Sequence, residues 1–72
     1  MMITEKIGEA AGQIWHELEE NGELSIAKIR TRLGFDVFTA QAAIGWLARE
    51  DKIEIKKTGN SLKASLKEAT YA

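Results

Sequence analysis

The chain lacks cysteine and proline altogether and contains a single histidine in 72 residues. Without cysteine it can form no disulfide, no cysteine-ligated metal site and no thiolate nucleophile, and its redox compartment is not indicated. His16 lies among Glu17, Glu19 and Glu20, on the side of a predicted helix that faces away from its apolar stripe. A single imidazole on a solvated face is more often a surface residue than a ligand, so we predict no metal site.

The residue sets that support catalysis are also missing from the sequence. It has no HExxH motif, no glycine-rich phosphate loop after a strand, and no Ser/His/Asp or Cys/His set. We therefore expect no catalytic residue and no cofactor, and we predict that the protein is not an enzyme.

Long hydrophobic runs are absent as well. No apolar run approaches the roughly 18 residues needed to span a membrane, and the first residues lack the pattern of a signal peptide. We expect a cytoplasmic protein without membrane contact. With 44% hydrophobic and 29% charged residues, the composition is typical of one folded domain with a small core. We predict that residues 1–72 form a single domain whose last residues, 67–72, are frayed.

Charge is distributed unevenly along the chain. Residues 1–24 carry six acids and one base, a balance of −5, whereas residues 25–72 carry nine bases and five acids, a balance of +4. This asymmetry is compatible with a basic face for a polyanion and an acidic face turned away. The alternative is a solvated surface that is simply uneven, because an excess of +4 is far weaker than that of most nucleic-acid-binding proteins.

Apolar residues recur at three- and four-residue steps in three segments, which predicts three helices. The stripe of the first consists of Ile3, Ile7, Ala11, Ile14 and Leu18. Thr4 is its expected N-cap, and residues 21–22 (Asn-Gly) are its expected end. Ser25 is the expected N-cap of the second helix, which ends at Gly34, and Asp36 caps the third. The second and third helices are joined only by "GFD", a connection typical of helix-turn-helix pairs.

The third helix, within "FDVFTAQAAIGWLARED", has apolar residues on more than one face. Its predicted core stripe consists of Val37, Ala40, Ile44, Leu47 and Ala48. Three further apolar residues, Phe38, Ala42 and Trp46, fall outside that stripe at four-residue spacing, with Trp46 nearly opposite it. Gln41 leans toward the predicted buried side.

Alternation of apolar and polar residues in "KIEIKKTGNSLKASLK" predicts a β-hairpin. The apolar positions are Ile53, Ile55, Leu62, Ala64 and Leu66. Gly59-Asn60 suits the positive dihedral angles of a tight turn between two such strands. The segment "ELS" at 23–25 is long enough for a short edge strand.

Helix, short strand, helix, tight turn, helix and hairpin follow one another in the order of a winged helix-turn-helix domain, which the chain resembles over almost its whole length. The run "AAIGWLAREDKIEI" in particular resembles a small family of uncharacterised prokaryotic winged helix proteins. The expected fold is therefore α+β, with three helices and a two- or three-stranded antiparallel β wing. Family members are named for their fold, so function has to be argued separately.

The resemblance implies nucleic-acid binding, with the third helix in the major groove and the wing on the adjacent backbone. The groove-facing residues would be Phe38, Thr39, Ala42, Trp46 and Arg49. Of these, only Thr39 and Arg49 can donate a directed hydrogen bond to a base edge. The expected phosphate contacts are Lys28, Arg32, Lys56, Lys57 and Lys63. The resemblance thus implies a transcriptional regulator that binds double-stranded DNA, and the scarcity of base-reading residues implies weak sequence specificity.

A protein-interaction or dimerisation module is the alternative function. Phe38, Ala42 and Trp46 would form an apolar ridge away from the core, and exposed apolar ridges usually bind a partner. A homodimer would also enlarge a small core. A third interpretation places Trp46 in the core, beneath the wing or beneath the tail near Tyr71.

Overall fold

The computed structural model describes residues 2–67 of the chain. Its elements are α1 (Ile3–Asn21), β1 (Leu24–Ser25), α2 (Ile26–Leu33), α3 (Val37–Arg49), β2 (Ile53–Thr58) and β3 (Ser61–Leu66). The strands form one antiparallel sheet in the order β1-β3-β2. The predicted α+β architecture is confirmed, with the wing in its three-stranded form. The predicted frayed tail lies outside the described residues from residue 68 onward.

The turn between α2 and α3 forms as the sequence predicts. Gly34 adopts the left-handed conformation, with φ of 69°. Its N–H donates to the Thr31 carbonyl at 3.3 Å, and the N–H of Phe35 donates to the Arg30 carbonyl at 3.0 Å. This pair of bonds satisfies carbonyls that the end of a helix leaves without partners. Phe35 also packs against the buried hydrophobic residues of the core. The turn is therefore stabilised both by backbone hydrogen bonds and by apolar packing.

Two of the three predicted N-caps are confirmed. Ser25 Oγ accepts from the Lys28 N–H at 3.0 Å, and Asp36 Oδ1 accepts from the Thr39 N–H at 2.7 Å. The prediction of Thr4 as the cap of α1 is wrong. The helix begins two residues earlier than predicted, at Ile3, with Met2 before it and no side-chain cap hydrogen bond. Its predicted end at residues 21–22 is confirmed.

The core side of α3 differs from the predicted stripe. Ala40, Ile44 and Leu47 are buried as predicted, but Val37 is 50% exposed and Ala48 is exposed. Buried in their place are Thr39 and Ala43. The reason is the packing of α3 against α1, where Ala10 and Ala11 are also buried. Small side chains on both helices allow the helices to approach closely, and the side of α3 that becomes buried is therefore the one that carries alanine residues.

The connection from α3 to β2 contains a strained residue. Asp51 has a φ of 62° and is the only non-glycine residue with a positive φ in the described part of the chain. Its N–H donates to the Ala48 carbonyl at 3.1 Å, and that of Lys52 to the Leu47 carbonyl at 3.0 Å. The Asp51 carboxylate also pairs with the Lys67 ammonium, and this hydrogen bond raises the pKa of Lys67. At the end of α3, Asp51 therefore takes the left-handed position that glycine usually occupies after a helix.

The hairpin has the predicted bounds, and its register assigns each side chain to a face. Thr58 pairs with Ser61 across the two-residue turn. Gly59 has a φ of 61°, and the φ of Asn60 is not positive. This combination is typical of a type II′ turn. The inner face toward the helices carries Ile53, Ile55, Lys57, Leu62, Ala64 and Leu66. The outer face carries Glu54, Lys56, Thr58, Ser61, Lys63 and Ser65.

Candidate nucleic-acid interface

Two lysines lie side by side on the outer face of the sheet, and a third lies at the start of α2 next to it. Lys63 lies on the central strand, directly opposite Lys56 of β2 and Ser25 of β1. Lys28 is in the first turn of α2, and its N–H donates to Ser25 Oγ at 3.0 Å. Lys56 and Lys63 are therefore about one strand spacing apart, and the backbone of Lys28 lies beside Ser25, the residue on the other side of Lys63. We call these three residues the basic row.

The charges of the basic row are not neutralised by ion pairs in the described part of the chain. None of the three lysines has a carboxylate oxygen within 4.0 Å among residues 2–67. Lys28 and Lys56 are exposed and Lys63 is half-buried. Glu54 shares the outer face and offsets part of the positive charge. What remains is a short cationic surface that can accept an anion without first breaking an ion pair.

The other predicted phosphate contacts lie elsewhere. Lys57 is on the inner face of the hairpin, opposite Leu62, because side chains alternate between faces along a strand. Lys57 and its neighbour Lys56 therefore point to opposite sides of the wing. Arg49 is exposed in the last turn of α3. The structure thus brings together three of the predicted phosphate contacts and separates Lys57 from them.

Arg32 is already engaged within the protein. Its Nε–H donates to Glu17 Oε1 at 2.6 Å, with side-chain exposures of 43% for Arg32 and 20% for Glu17. The Asn21 amide also donates to the Glu17 backbone carbonyl at 3.0 Å. Arg32 therefore links α2 to α1, and the predicted phosphate contact of Arg32 requires this ion pair to open first. The partner is fifteen residues away in the chain, so no local pattern indicated it.

Thr39 was predicted to face the bases, and this prediction is wrong. Thr39 is 4% exposed, because it is the third residue of α3 and belongs to the helix cap. Hydrogen bonds from its hydroxyl and its backbone N–H hold the pKa of the Asp36 carboxyl below the ordinary value. The Thr39 side chain is buried, and its backbone N–H completes the cap with Asp36. The side chain is not available to a base edge.

The outward side of α3 offers few polar groups. Gln41, which we expected to lean inward, is exposed, as are Gly45 and Arg49. The inward shift of Thr39 explains the change, because it turns the opposite side of the helix, including Gln41, toward solvent. Gln and Arg are favoured readers of adenine and guanine. Gln41 and Arg49 are therefore the exposed side chains of α3 with the chemistry to read a base, and of these two the sequence predicts only Arg49 as base-facing.

The apolar residues of α3 outside the core form a ridge on one flank of the helix. Phe38 is 60% exposed and Trp46 43% exposed, and Ala42 between them is half-buried. Trp46 adjoins the buried side rather than lying opposite it, because the core stripe includes Thr39 and Ala43. The placement of Trp46 in the core is thus wrong for the described residues. The proposed contact with Tyr71 lies outside them.

Within residues 2–67, no group of three or more histidine or acidic side chains is placed to hold a metal ion. No helix in this part of the chain is long and apolar enough to cross a membrane. A shallow cleft of about 210 Å³ lies between α1 and the α2–α3 turn, lined by Lys6, Glu9, Gln13 and Phe35 among others. Its two charged residues carry opposite signs, so it presents no distinct chemistry for a ligand.

Comparisons with known proteins agree with this geometry. A family model described as a winged helix-turn-helix domain (DUF2582) matches residues 2–66. The chain is 51% identical over 55 residues to an uncharacterised protein of the archaeon Methanocaldococcus jannaschii, covering 72% of this chain and 77% of that protein. It is also similar to a protein from Bacteroides thetaiotaomicron solved by solution NMR. That match has a TM-score of 0.80 and 31% identity, and it covers 90% of this chain and 79% of the other. The predicted resemblance to a small uncharacterised winged helix family is confirmed.

Proposed function

This chain belongs to the winged helix-turn-helix domain family DUF2582, and on that premise we propose that it is a non-catalytic, nucleic-acid-binding regulator of transcription. It holds double-stranded DNA chiefly through phosphates and reads base sequence weakly. The observation that carries this proposal is the basic row, whose lysines have no carboxylate partner within 4.0 Å among residues 2–67.

Phosphate neutralisation supplies most of the affinity in this proposal. Each lysine or arginine that contacts a phosphate releases condensed counterions from the DNA, which makes binding dependent on salt. Lys28, Lys56 and Lys63 contribute directly. Lys57 contributes from the other face of the wing, and Arg32 contributes only after separation from Glu17.

Weak sequence specificity follows from the composition of α3. Its outward side combines Gln41 and Arg49 with Phe38, Ala42 and Gly45, and the last three cannot donate a side-chain hydrogen bond to a base. Two readers on one helix discriminate only a few base pairs, because each good bidentate contact contributes about 1–3 kcal/mol.

The test is titration of a fluorescent random-sequence duplex at several salt concentrations. Three to five phosphate contacts predict a log-log slope of roughly −3 to −5. The variant Lys28→Glu/Lys63→Glu reverses two charges of the basic row. It should weaken binding to all sequences alike and flatten the slope by about 2.

The matched control is Lys6→Glu/Lys52→Glu, which makes the same change in net charge outside the basic row. It should weaken binding less and leave the slope nearly unchanged. Equal effects of the two double variants would remove the basic row from the interface. Absence of binding at low ionic strength would contradict nucleic-acid binding as a whole.

A second candidate function is favoured by the flank of α3. Phe38 and Trp46 expose large apolar surfaces, and tryptophan is enriched among residues that dominate interface energies. A protein partner, or a second copy of the chain, would cover them. Under this candidate Phe38→Ala weakens association, whereas an exchange of Lys28 and Lys63 for glutamate leaves association unchanged.

A further inference from the structure

We propose that β2 pairs edge to edge with β2 of a second copy, which joins the two three-stranded sheets into one continuous antiparallel sheet. This interface is separate from the flank of α3 and does not depend on nucleic acid. In the dimer Lys56 faces Glu54 of the second copy, which leaves Lys28 and Lys63 of the basic row for phosphates. The proposal rests on three features of β2. Its outer edge is unpaired, it lacks most of the features that block edge pairing, and its charges are complementary to those of a second copy.

The edge of β2 presents backbone groups in a defined order. β2 is the terminal strand of the sheet, and within residues 2–67 no strand pairs with its outer side. Antiparallel partners alternate between hydrogen-bonded and non-hydrogen-bonded pairs. The N–H of Lys67 donates to the Lys52 carbonyl at 2.9 Å, so the even-numbered residues of β2 bond to β3. The N–H and C=O groups of Ile53, Ile55 and Lys57 therefore point to the free edge.

β2 lacks most of the features that protect edge strands from pairing. Natural edges are commonly blocked by proline, by bulges, by being very short, or by charge. The chain contains no proline, no residue of β2 has a positive φ, and the strand is six residues long. Charge is the remaining protection against pairing. The charges of β2 nevertheless permit one register with a second copy of the strand.

A two-fold axis at Ile55 sets every charge of the outer face against an opposite charge. Ile55 then pairs with Ile55 of the second copy, and Glu54 lies opposite Lys56 of the second copy, twice over by symmetry. Moving the register one step in either direction places Glu54 opposite Glu54, or Lys56 opposite Lys56. Opposite charges across an antiparallel pair stabilise it and like charges destabilise it. Charge complementarity therefore selects both the partner and the register.

The inner face supports the same register. Ile55 is 42% exposed although it lies on the side of the sheet that faces the core. Pairing at the two-fold axis brings the two Ile55 side chains together and removes apolar surface from water, which is favourable. The aliphatic stem of Lys57 lies against Ile53 of the second copy, with its ammonium free to reach solvent.

Charge reversal tests the register by sedimentation equilibrium without nucleic acid. Glu54→Lys places two lysine pairs at the interface, and Lys56→Glu places two glutamate pairs there. Each variant alone should associate at least about tenfold more weakly than the unmodified chain. Because each interface then carries two opposite-charge pairs, an equimolar mixture of the two variants should recover association as a heterodimer. The combined variant Glu54→Lys/Lys56→Glu should recover it as a homodimer.

Amide hydrogen exchange supplies a second measurement that locates the interface. The amides of Ile53, Ile55 and Lys57 should become protected as protein concentration rises, while those of Glu54 and Lys56 are protected throughout. A protein that stays monomeric at millimolar concentration overturns the proposal. So does association that is indifferent to both single variants, or edge protection that is independent of concentration. Association that responds to Phe38→Ala and not to Glu54→Lys assigns the dimer to α3 and also overturns it.

Discussion

Lys56 and Lys63 lie directly opposite each other on β2 and β3, on the outer face of the sheet. Like charges in directly opposed positions destabilise an antiparallel pair by an amount comparable to other cross-strand terms, about 0.2–1 kcal/mol. A small domain with one core has little stability to lose. The opposed lysines therefore cost the folded domain some stability, and under the proposed function their charge serves anion binding.

Lys63→Gln should therefore raise the free energy of unfolding by about 0.2–1 kcal/mol at low salt. The gain should shrink as salt is added, because screening weakens the repulsion that the substitution removes. Denaturant melts at two ionic strengths measure it. Lys57→Gln is the control, since Lys57 lies opposite Leu62 and has no directly opposed lysine. Equal gains for both variants would show that the opposed pair is not the cause.

Glu17→Gln should release Arg32 with little loss of stability. Because the ion pair is partly exposed, its contribution to the free energy of unfolding should not exceed about 1 kcal/mol. If the chain binds DNA as proposed, the released guanidinium adds a phosphate contact and steepens the log-log salt slope by about 0.9. Glu20→Gln removes the same charge from the same helix without freeing a cation. Its slope should remain that of the unmodified chain.

The cap of α3 predicts a specific dependence of stability on acid pH. Thr39 lowers the folded-state pKa of Asp36 below its ordinary value of 3.8, so ionisation of this carboxyl favours the folded state. Its contribution is complete above the ordinary value and is lost as pH falls through the lower folded-state pKa. Asp36→Asn keeps a good N-cap but cannot titrate.

Denaturant melts from pH 6 downward measure this effect. The stability of Asp36→Asn should be close to that of the unmodified chain at pH 6 and should fall less steeply below about pH 4. Parallel curves for the two proteins would mean that Asp36 contributes no acid-dependent stability.

The left-handed conformation of Asp51 predicts a difference between two substitutions. Asp51→Gly and Asp51→Ala both remove the ion pair with Lys67, so that loss cancels when the two variants are compared. Alanine must then adopt a φ of 62°, where its Cβ is strained, whereas glycine adopts it freely. The glycine variant should be more stable by about 1 kcal/mol in thermal or denaturant melts. Equal stabilities would indicate that the connection relaxes out of the left-handed region.

The features that the sequence predicted correctly depend on short-range interactions. Ser25, Gly34, Asp36 and Gly59 each act within a few residues of themselves, so caps and turns follow from residue type. The separation of Lys56 from Lys57 also follows from strand alternation, which the charge of the two residues alone does not indicate. Helical periodicity predicted α3 itself.

The incorrect predictions concern residues whose burial or partner depends on contacts distant in the sequence. A helix with apolar residues on several faces has several plausible core stripes, and the one chosen depends on the partner helix. Ala10 and Ala11 of α1 favour a side of α3 lined by small residues, which buries Ala43 in place of Ala48. Burial of Thr39 follows from the same choice. The pairing of Arg32 with Glu17 likewise depends on how α2 packs against α1.

The side of α3 that is buried also determines how much stability Trp46 contributes. A fully buried tryptophan replaced by alanine costs about 3–5 kcal/mol of stability. Trp46 is 43% exposed, so Trp46→Ala should cost less, about 1–2 kcal/mol, and the folded monomer should persist. Denaturant melts at low protein concentration measure this cost, with Trp15→Phe as the background so that fluorescence reports one tryptophan. Iodide should quench Trp46 in the folded state, whereas a cost of 3 kcal/mol or more with poor quenching would place it in the core.

Association of Trp46→Ala then separates the two candidate interfaces. If copies pair through the edge of β2, the substitution leaves the dimer dissociation constant unchanged, because Trp46 is on α3 and forms no part of that edge. If the flank of α3 is the interface, loss of an aromatic anchor weakens association by about 2 kcal/mol or more, a factor of roughly thirty. Sedimentation equilibrium of Trp46→Ala beside Glu54→Lys distinguishes these outcomes, since each variant disturbs one surface and leaves the other intact.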